Sequence, residues 1–200
     1  MHAFDLYLPT RLVFGKDRLN TLDTLTRGYG DRVLLVAGTG SARRSGLIDR
    51  VKAALPGREI FELEGVVPNP RIDSVRAGAR LCKQKNIDFI VAVGGGSVID
   101  CSKAIAAGAA SDLEPWDLVV NPGKIEKALP FFTVLTLSAT GSEYDNSALN
   151  NSPLNREGFD KIRTLQTSVL PPVCRHPDHE TLSDAALGRS GVSFPAAGIA

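Results

Sequence analysis

Two short apolar runs set the rhythm of this chain. Residues 33–37 read VLLVA after Arg32, and residues 89–93 read FIVAV. Runs of that length without alternation mark strands covered on both faces, as in a parallel sheet between helices. Residues 59–63 (EIFEL) predict a strand between them, and residues 130–137 (PFFTVLTL) a fourth. Elsewhere the period lengthens to that of a helix. Residues 72–85 put Val75, Ala79 and Cys82 on one helical face, residues 46–55 predict a shorter helix, and residues 98–110 one built from small side chains. Residues 16–27 space Leu19, Leu22 and Leu25 for a short amphipathic helix closed by Gly28 and Gly30. Residues 4–14 have strand composition broken at Pro9 and Thr10, which predicts two short strands, a hairpin or an arm.

Strand, glycine-rich loop and helix in repetition predict an α/β domain with an open, mostly parallel sheet. Ligands of such sheets bind outside the carboxyl ends of the strands. Three loops rich in Gly, Ser and Thr fall at that edge: residues 38–41 (GTGS), residues 94–97 (GGGS) and residues 136–143 (TLSATGSE). Beyond residue 150 the periodicity weakens and prolines accumulate, so that region reads as irregular, with a short strand near 167–170.

Gly94, Gly95, Gly96 and Ser97 form the strongest chemical signal. Without Cβ atoms, backbone N–H groups approach a phosphate closely, and a helix start presents its positive end to the anion. A tight turn with no ligand is the alternative. Neither the Gly-x-Gly-x-x-Gly fingerprint nor a Gly-Lys-Ser/Thr loop is present. Asp100 and Lys103 lie three apart: either Asp100 fixes a cofactor or loop amide near the phosphate site, or the two form an exposed pair. Thr136, Ser138, Thr140 and Ser142 offer hydroxyls to a polar ligand or cap a turn. No acidic residue occurs from 33 to 47, where a dinucleotide fold often holds ribose hydroxyls. Arg43 and Arg44 therefore either meet a 2′-phosphate or are solvated.

Composition narrows the class. The 200 residues carry 23 basic and 22 acidic side chains, a net charge of +1, which argues against nucleic acid as a partner. At 43% apolar residues, a sizeable core can form. Cys82, Cys101 and Cys174 are too far apart for a disulfide framework or metal knuckle, and predict reduced thiols in a cytoplasmic protein. No apolar run approaches the ~20 residues that cross a membrane, and the opening residues do not read as a signal peptide.

Four pieces together carry a resemblance: FDLYLPTRLVFG at the start, VPNP at 67–70, VAVGGGSVIDCSKAIA at 91–106 and TLSATGSE at 136–143. In this order the chain resembles the N-terminal half of the iron-containing alcohol dehydrogenases. The opening and residues 112–118 (DLEPWDL) are most similar to the NADP-dependent butanol dehydrogenase and aldehyde reductase branch. The resemblance implies a Rossmann-like cofactor domain over residues 1–157, like the N-terminal domain of dehydroquinate synthase. It implies oxidation of alcohols or reduction of aldehydes with NADP, NAD being possible, and a possible homodimer through the opening strands. Carried over residue by residue, Gly94, Gly95, Gly96 and Ser97 match the pyrophosphate loop, and Asp100 the acidic residue after it. Thr136, Leu137, Thr140 and Ser142 match the strip along adenine, ribose and nicotinamide. Gly38, Thr39, Gly40 and Ser41 match the adenosine-ribose loop, and Asn69 of VPNP is carried with them. Thr39 stands where NAD-preferring members often place Asp, which favours NADP.

Full-length members hold Fe or Zn with an Asp and three His, two of them from Asp-x-x-x-His. This chain has His2, His176 and His179 and no such motif. The stretch RHPDHETL contains a proline and no evident frame, so it reads as an altered connector. Residues 158–200 are thus expected to be a divergent connector toward a helical metal domain absent from the chain, leaving negligible dehydrogenase activity. A non-catalytic nucleotide-binding domain or remnant, and a glycerol dehydrogenase-like oxidoreductase with the same GGGS architecture, are the alternatives.

Overall fold

The computed structural model describes residues 10–138, 141–143, 147–150, 160–163 and 173–174. A 3₁₀ turn over Arg18–Thr21 leads into α1 (Leu22–Thr26), so the helix expected at 16–27 is two short pieces. β1 (Arg32–Gly38) follows, then α2 (Ser41–Arg44) and α3 (Leu47–Ala53), β2 (Glu59–Val66), α4 (Ile72–Lys85), β3 (Phe89–Gly94) and α5 (Gly96–Ala109). α6 (Pro115–Val120) and a 3₁₀ turn precede β4 (Phe131–Leu135). Short strands β5 (Ser147–Asn150), β6 (Asp160–Arg163) and β7 (Val173–Cys174) complete the described elements.

The main sheet has the order β2-β1-β3-β4-β7, and every pairing in it is parallel. The order reverses direction at β1, so the crevice between the carboxyl ends of β1 and β3 is the switch point where ligands of such sheets bind. Period-2 geometry sorts the core onto two faces. Leu34, Val36, Ile90, Ala92, Phe131 and Leu135 meet α4, α5 and α6, while Val33, Leu35, Phe89, Val91, Phe132 and Val134 meet the layer of α1, α2 and α3. Both faces of β1 and β3 are therefore dry, which is why their sequences do not alternate. Across the lower edge, Asp88 Oδ2 accepts from the backbone N–H groups of Asp31 at 2.8 Å and Arg32 at 2.9 Å, tying the starts of β1 and β3 together.

Some expectations need correction. β2 runs to Val66, three residues past the strand expected over 59–63. β4 ends at Leu135 rather than 137. α6 was not foreseen: it is six residues long, begins at Pro115, and is capped by Glu114 accepting from Trp116 N–H at 2.7 Å. Beyond residue 150, read as irregular, β6 pairs antiparallel with β5 and β7 extends the main sheet beside β4. Of the opening strand pair, residues 1–9 lie outside the described residues, and residues 10–14 contribute a single bridge at Val13. The strand expected near 167–170 also lies outside them.

Candidate functional site

The three loops meet at the upper edge of the sheet. Gly94 ends β3 with its carbonyl accepting from Thr136 N–H at 3.1 Å, which joins the loop after β4 to the glycine loop. Gly95 precedes the first turn of α5, where its carbonyl accepts from Val98 and Ile99 N–H groups at 3.0 and 3.2 Å. A Cβ on Gly94 would stand 2.5 Å from Val98 Cγ2, so glycine is needed there for α5 to start so close to the strand. A Cβ on Gly38 would stand 3.5 Å from the same Val98 methyl and 3.6 Å from the Val66 carbonyl, which places the end of β1 beside this turn. A Cβ on Gly95 would be 3.5 Å from Leu137 Cβ. Leu137 is itself 58% exposed, an apolar lip over the glycine loop.

Ser97 Oγ accepts a hydrogen bond from the backbone N–H of Asn69 at 3.3 Å. Asn69 adopts a left-handed φ of 53°, which turns the chain between Pro68 and Pro70 toward that hydroxyl. Two residues selected separately from sequence, 28 positions apart, thus share one contact. Gly96 opens α5 beside them.

Asp100, Lys103 and Ser142 form a buried group behind the glycine loop. They are 9%, 2% and 3% exposed, which overturns the reading of Asp100 and Lys103 as a solvent-facing pair. Ser142 Oγ donates to Asp100 Oδ1 at 2.5 Å, and Lys103 Nζ donates to Ser142 Oγ at 3.0 Å. One hydroxyl therefore uses its donor and an acceptor lone pair to bind two side chains of one helix. Charged side chains this deep persist only with such partners. The sequence pointed to Asp100 but not to Lys103 as a site residue, since its partner lies 39 positions on.

The loop after β1 carries no carboxylate. Gly40 takes a φ of 111° and its carbonyl accepts from Arg44 N–H at 2.9 Å, starting α2. Thr39 and Ser41 are exposed beside it. Arg43 reaches across to β2: Nε donates to Glu64 Oε2 at 3.1 Å, and Nη2 pairs with Glu62 and Glu64. Hydrogen bonding to Glu64, opposed by partial desolvation and aided by the charges of both glutamates, raises the Arg43 pKa above its ordinary value. Arg43 is thus neither free in solvent nor held open for a ligand. Sequence reasoning missed Glu62 and Glu64; their one signal is alternate spacing on a strand, which puts both on the same face.

Thr140, His176 and His179 lie outside the described residues. Among the described residues, no three His, Cys, Asp or Glu side chains converge to hold a metal ion, so the donor set expected for Fe or Zn is not assembled there. None of the described helices is long and apolar enough to cross a membrane.

Comparison with known proteins agrees with this geometry. The profile of the iron-containing alcohol dehydrogenases matches residues 9–174. The chain is 46% identical over 178 residues to NADH-dependent butanol dehydrogenase A of Clostridium acetobutylicum, covering 86% of this chain and 46% of that protein. It is 39% identical over 176 residues to the NADPH-dependent aldehyde reductase YqhD of Escherichia coli, covering 86% of this chain and 44% of that one. The crystal structure of NADH-dependent butanol dehydrogenase A from Thermotoga maritima superposes with a TM-score of 0.81 at 33% identity, over 87% of this chain and 44% of that one. The chain spans about half the length of the relatives it matches.

Proposed function

The chain belongs to the iron-containing alcohol dehydrogenase family, and from that premise we propose that it holds the nicotinamide dinucleotide of an alcohol dehydrogenase or aldehyde reductase. The observation that carries this reading is the convergence at the switch point: Asn69 on Ser97, and Thr136 on Gly94. Gly94, Gly95, Gly96 and Ser97 receive the pyrophosphate at the start of α5. Gly38, Thr39, Gly40 and Ser41 face the adenosine ribose, with Asn69 beside them. Thr136, Leu137 and Thr140 line the strip toward the nicotinamide, and Asp100 and Ser142 fix that strip to α5.

When bound, the cofactor supplies or accepts the hydride. The chain's own residues bind it, hold its phosphates against backbone N–H groups and cover one side with Leu137. NADP suits the uncharged Thr39 loop. NAD is the second reading, favoured by the relatives named as NADH-dependent, such as the 46% identical one.

Residues 1–157 act as the cofactor unit, with Val173–Cys174 added to its sheet, and the rest of 158–200 as a connector. The Asp-x-x-x-His motif that the resemblance implies for metal binding does not occur in the sequence, and the 200-residue chain by itself is proposed to bind cofactor without turning over aldehyde. A homodimer through the opening segment is supported by the exposed Leu12 and Phe14, and a cytoplasmic location by the free thiols of Cys82 and Cys101.

Two measurements test this reading. Calorimetric titration with NADPH and NADH is expected to show binding, and heat with neither cofactor refutes the site. Oxidation of NADPH by butanal with added Fe²⁺ or Zn²⁺ is expected to stay at the buffer rate, and turnover above it refutes the claim about the isolated chain.

A further inference from the structure

We propose that Arg44, and not the neighbouring Arg43, is the residue that selects a 2′-phosphorylated dinucleotide in this chain. The inference deepens the cofactor reading above and rests on it. Both arginines follow the loop at the end of β1, and sequence alone gives no reason to prefer either.

The structure separates them by their partners. Arg43 is clamped on β2 by Glu62 and Glu64, and Lys52 closes the group through Glu62. Two cations and two carboxylates make a set with no net charge, and they turn the Arg43 guanidinium toward the edge strand. Arg44 folds the other way. Its Nη1 lies 3.2 Å from the point where a Cβ on Gly40 would stand, so the guanidinium covers the loop itself. A Cβ at residue 40 would make that end shift by a few tenths of an ångström. No hydrogen bond or ion pair joins the Arg44 side chain to another described residue, so its donors are available. Between residues 33 and 47 no carboxylate opposes it.

A planar guanidinium over an uncharged glycine turn suits a phosphate monoester, which it can bind with two parallel N–H···O bonds. A bare ribose 2′-hydroxyl offers no charge to match. Arg44 thus adds affinity for the phosphorylated cofactor and little for the other, which is the condition for selectivity.

The test measures NADPH and NADH dissociation constants on the full chain by calorimetry and takes their ratio. For Arg44→Gln, NADPH affinity is expected to fall by about tenfold or more with NADH affinity nearly unchanged, as the loss of a charge-assisted contact requires. For Arg43→Gln the ratio should hold within about twofold, since that charge is already answered by Glu62 and Glu64. The Glu62→Gln/Glu64→Gln double variant releases Arg43 and should raise the preference for NADPH. An unchanged ratio in Arg44→Gln, or a collapse of the ratio in Arg43→Gln, overturns the proposal. Wild-type chain that binds neither cofactor refutes the underlying site and this inference with it. Wild-type chain that binds both, with Arg44→Gln indistinguishable from it, refutes the inference alone.

Discussion

Ser142 donates its hydroxyl to Asp100 at 2.5 Å across 42 positions of sequence, and this bond fastens the loop after β4 to the second turn of α5. The same oxygen accepts from Lys103, so one serine joins both ionic side chains of that helix face. The glycine loop and the Thr136 strip are thereby held as one unit.

Replacing Ser142 with Ala removes a donor from a buried carboxylate and an acceptor from a buried ammonium. A hydrogen bond to a charged group contributes about 2 kcal/mol, which corresponds to a fall in Tm of about 4–8 °C for a domain of this size. Thermal unfolding followed by circular dichroism should show that loss in Ser142→Ala and most of it recovered in Ser142→Thr. Equal melting of Ser142→Ala and wild type would show that the bond contributes nothing.

Gly94→Ala puts a methyl 2.5 Å from Val98 Cγ2. Overpacking of this kind costs about 1–3 kcal/mol and pushes the start of α5 away from β3. Urea unfolding should register that cost. Val98→Ala removes the nearest methyl and leaves only its Cβ, 2.8 Å from the new one, so the Gly94→Ala/Val98→Ala double variant should recover part of the cost and lose less than the sum of the single changes. Strict additivity would mean that the two side chains do not meet.

Cys82 and Cys101 are buried, and desolvation pushes both thiols up from an ordinary value near 9 to about 12. The folded chain therefore keeps protons that the unfolded chain releases above pH ~9. The thiol contribution to stability is complete below that pH and is lost progressively as pH rises toward 12. Unfolding free energies measured from pH 8 to 11 should fall more steeply for wild type than for the Cys82→Ala/Cys101→Ala variant. Parallel slopes would contradict the burial argument. In a Cys174→Ser background, Ellman's reagent should label neither thiol until denaturant is added.

The sheet was legible because its strands are dry on both faces. VLLVA and FIVAV admit few readings other than parallel strands between helices, and α4 matched its periodicity residue for residue over 72–85. α6 escaped notice because six residues hold too few turns for a period, and its signals are one capping glutamate and one proline. The loops of the site were legible from composition, yet their roles were not. Gly94 reads as phosphate chemistry in sequence, while the structure assigns it a packing duty against Val98 as well. Asp100 and Lys103 look like a surface pair until Ser142 arrives from another loop. Arg43 and Arg44 are equivalent in sequence and become different only when β2 places Glu62 and Glu64 opposite one of them. For Asp100, Lys103 and Arg43 the deciding partner lies 19 or more positions away, beyond the reach of local pattern.

The central claim is that a nicotinamide dinucleotide lies across the carboxyl ends of β1, β3 and β4. Titration of ¹⁵N-labelled chain with NADPH, followed by amide chemical shifts, tests it most directly. The account predicts the largest shifts at residues 38–41, at Asn69, at residues 94–98 and at Thr136 and Leu137, with little change at Asn86 and Asp88 on the opposite edge. Shifts confined to the opposite edge, or absent at saturating NADPH, would contradict it.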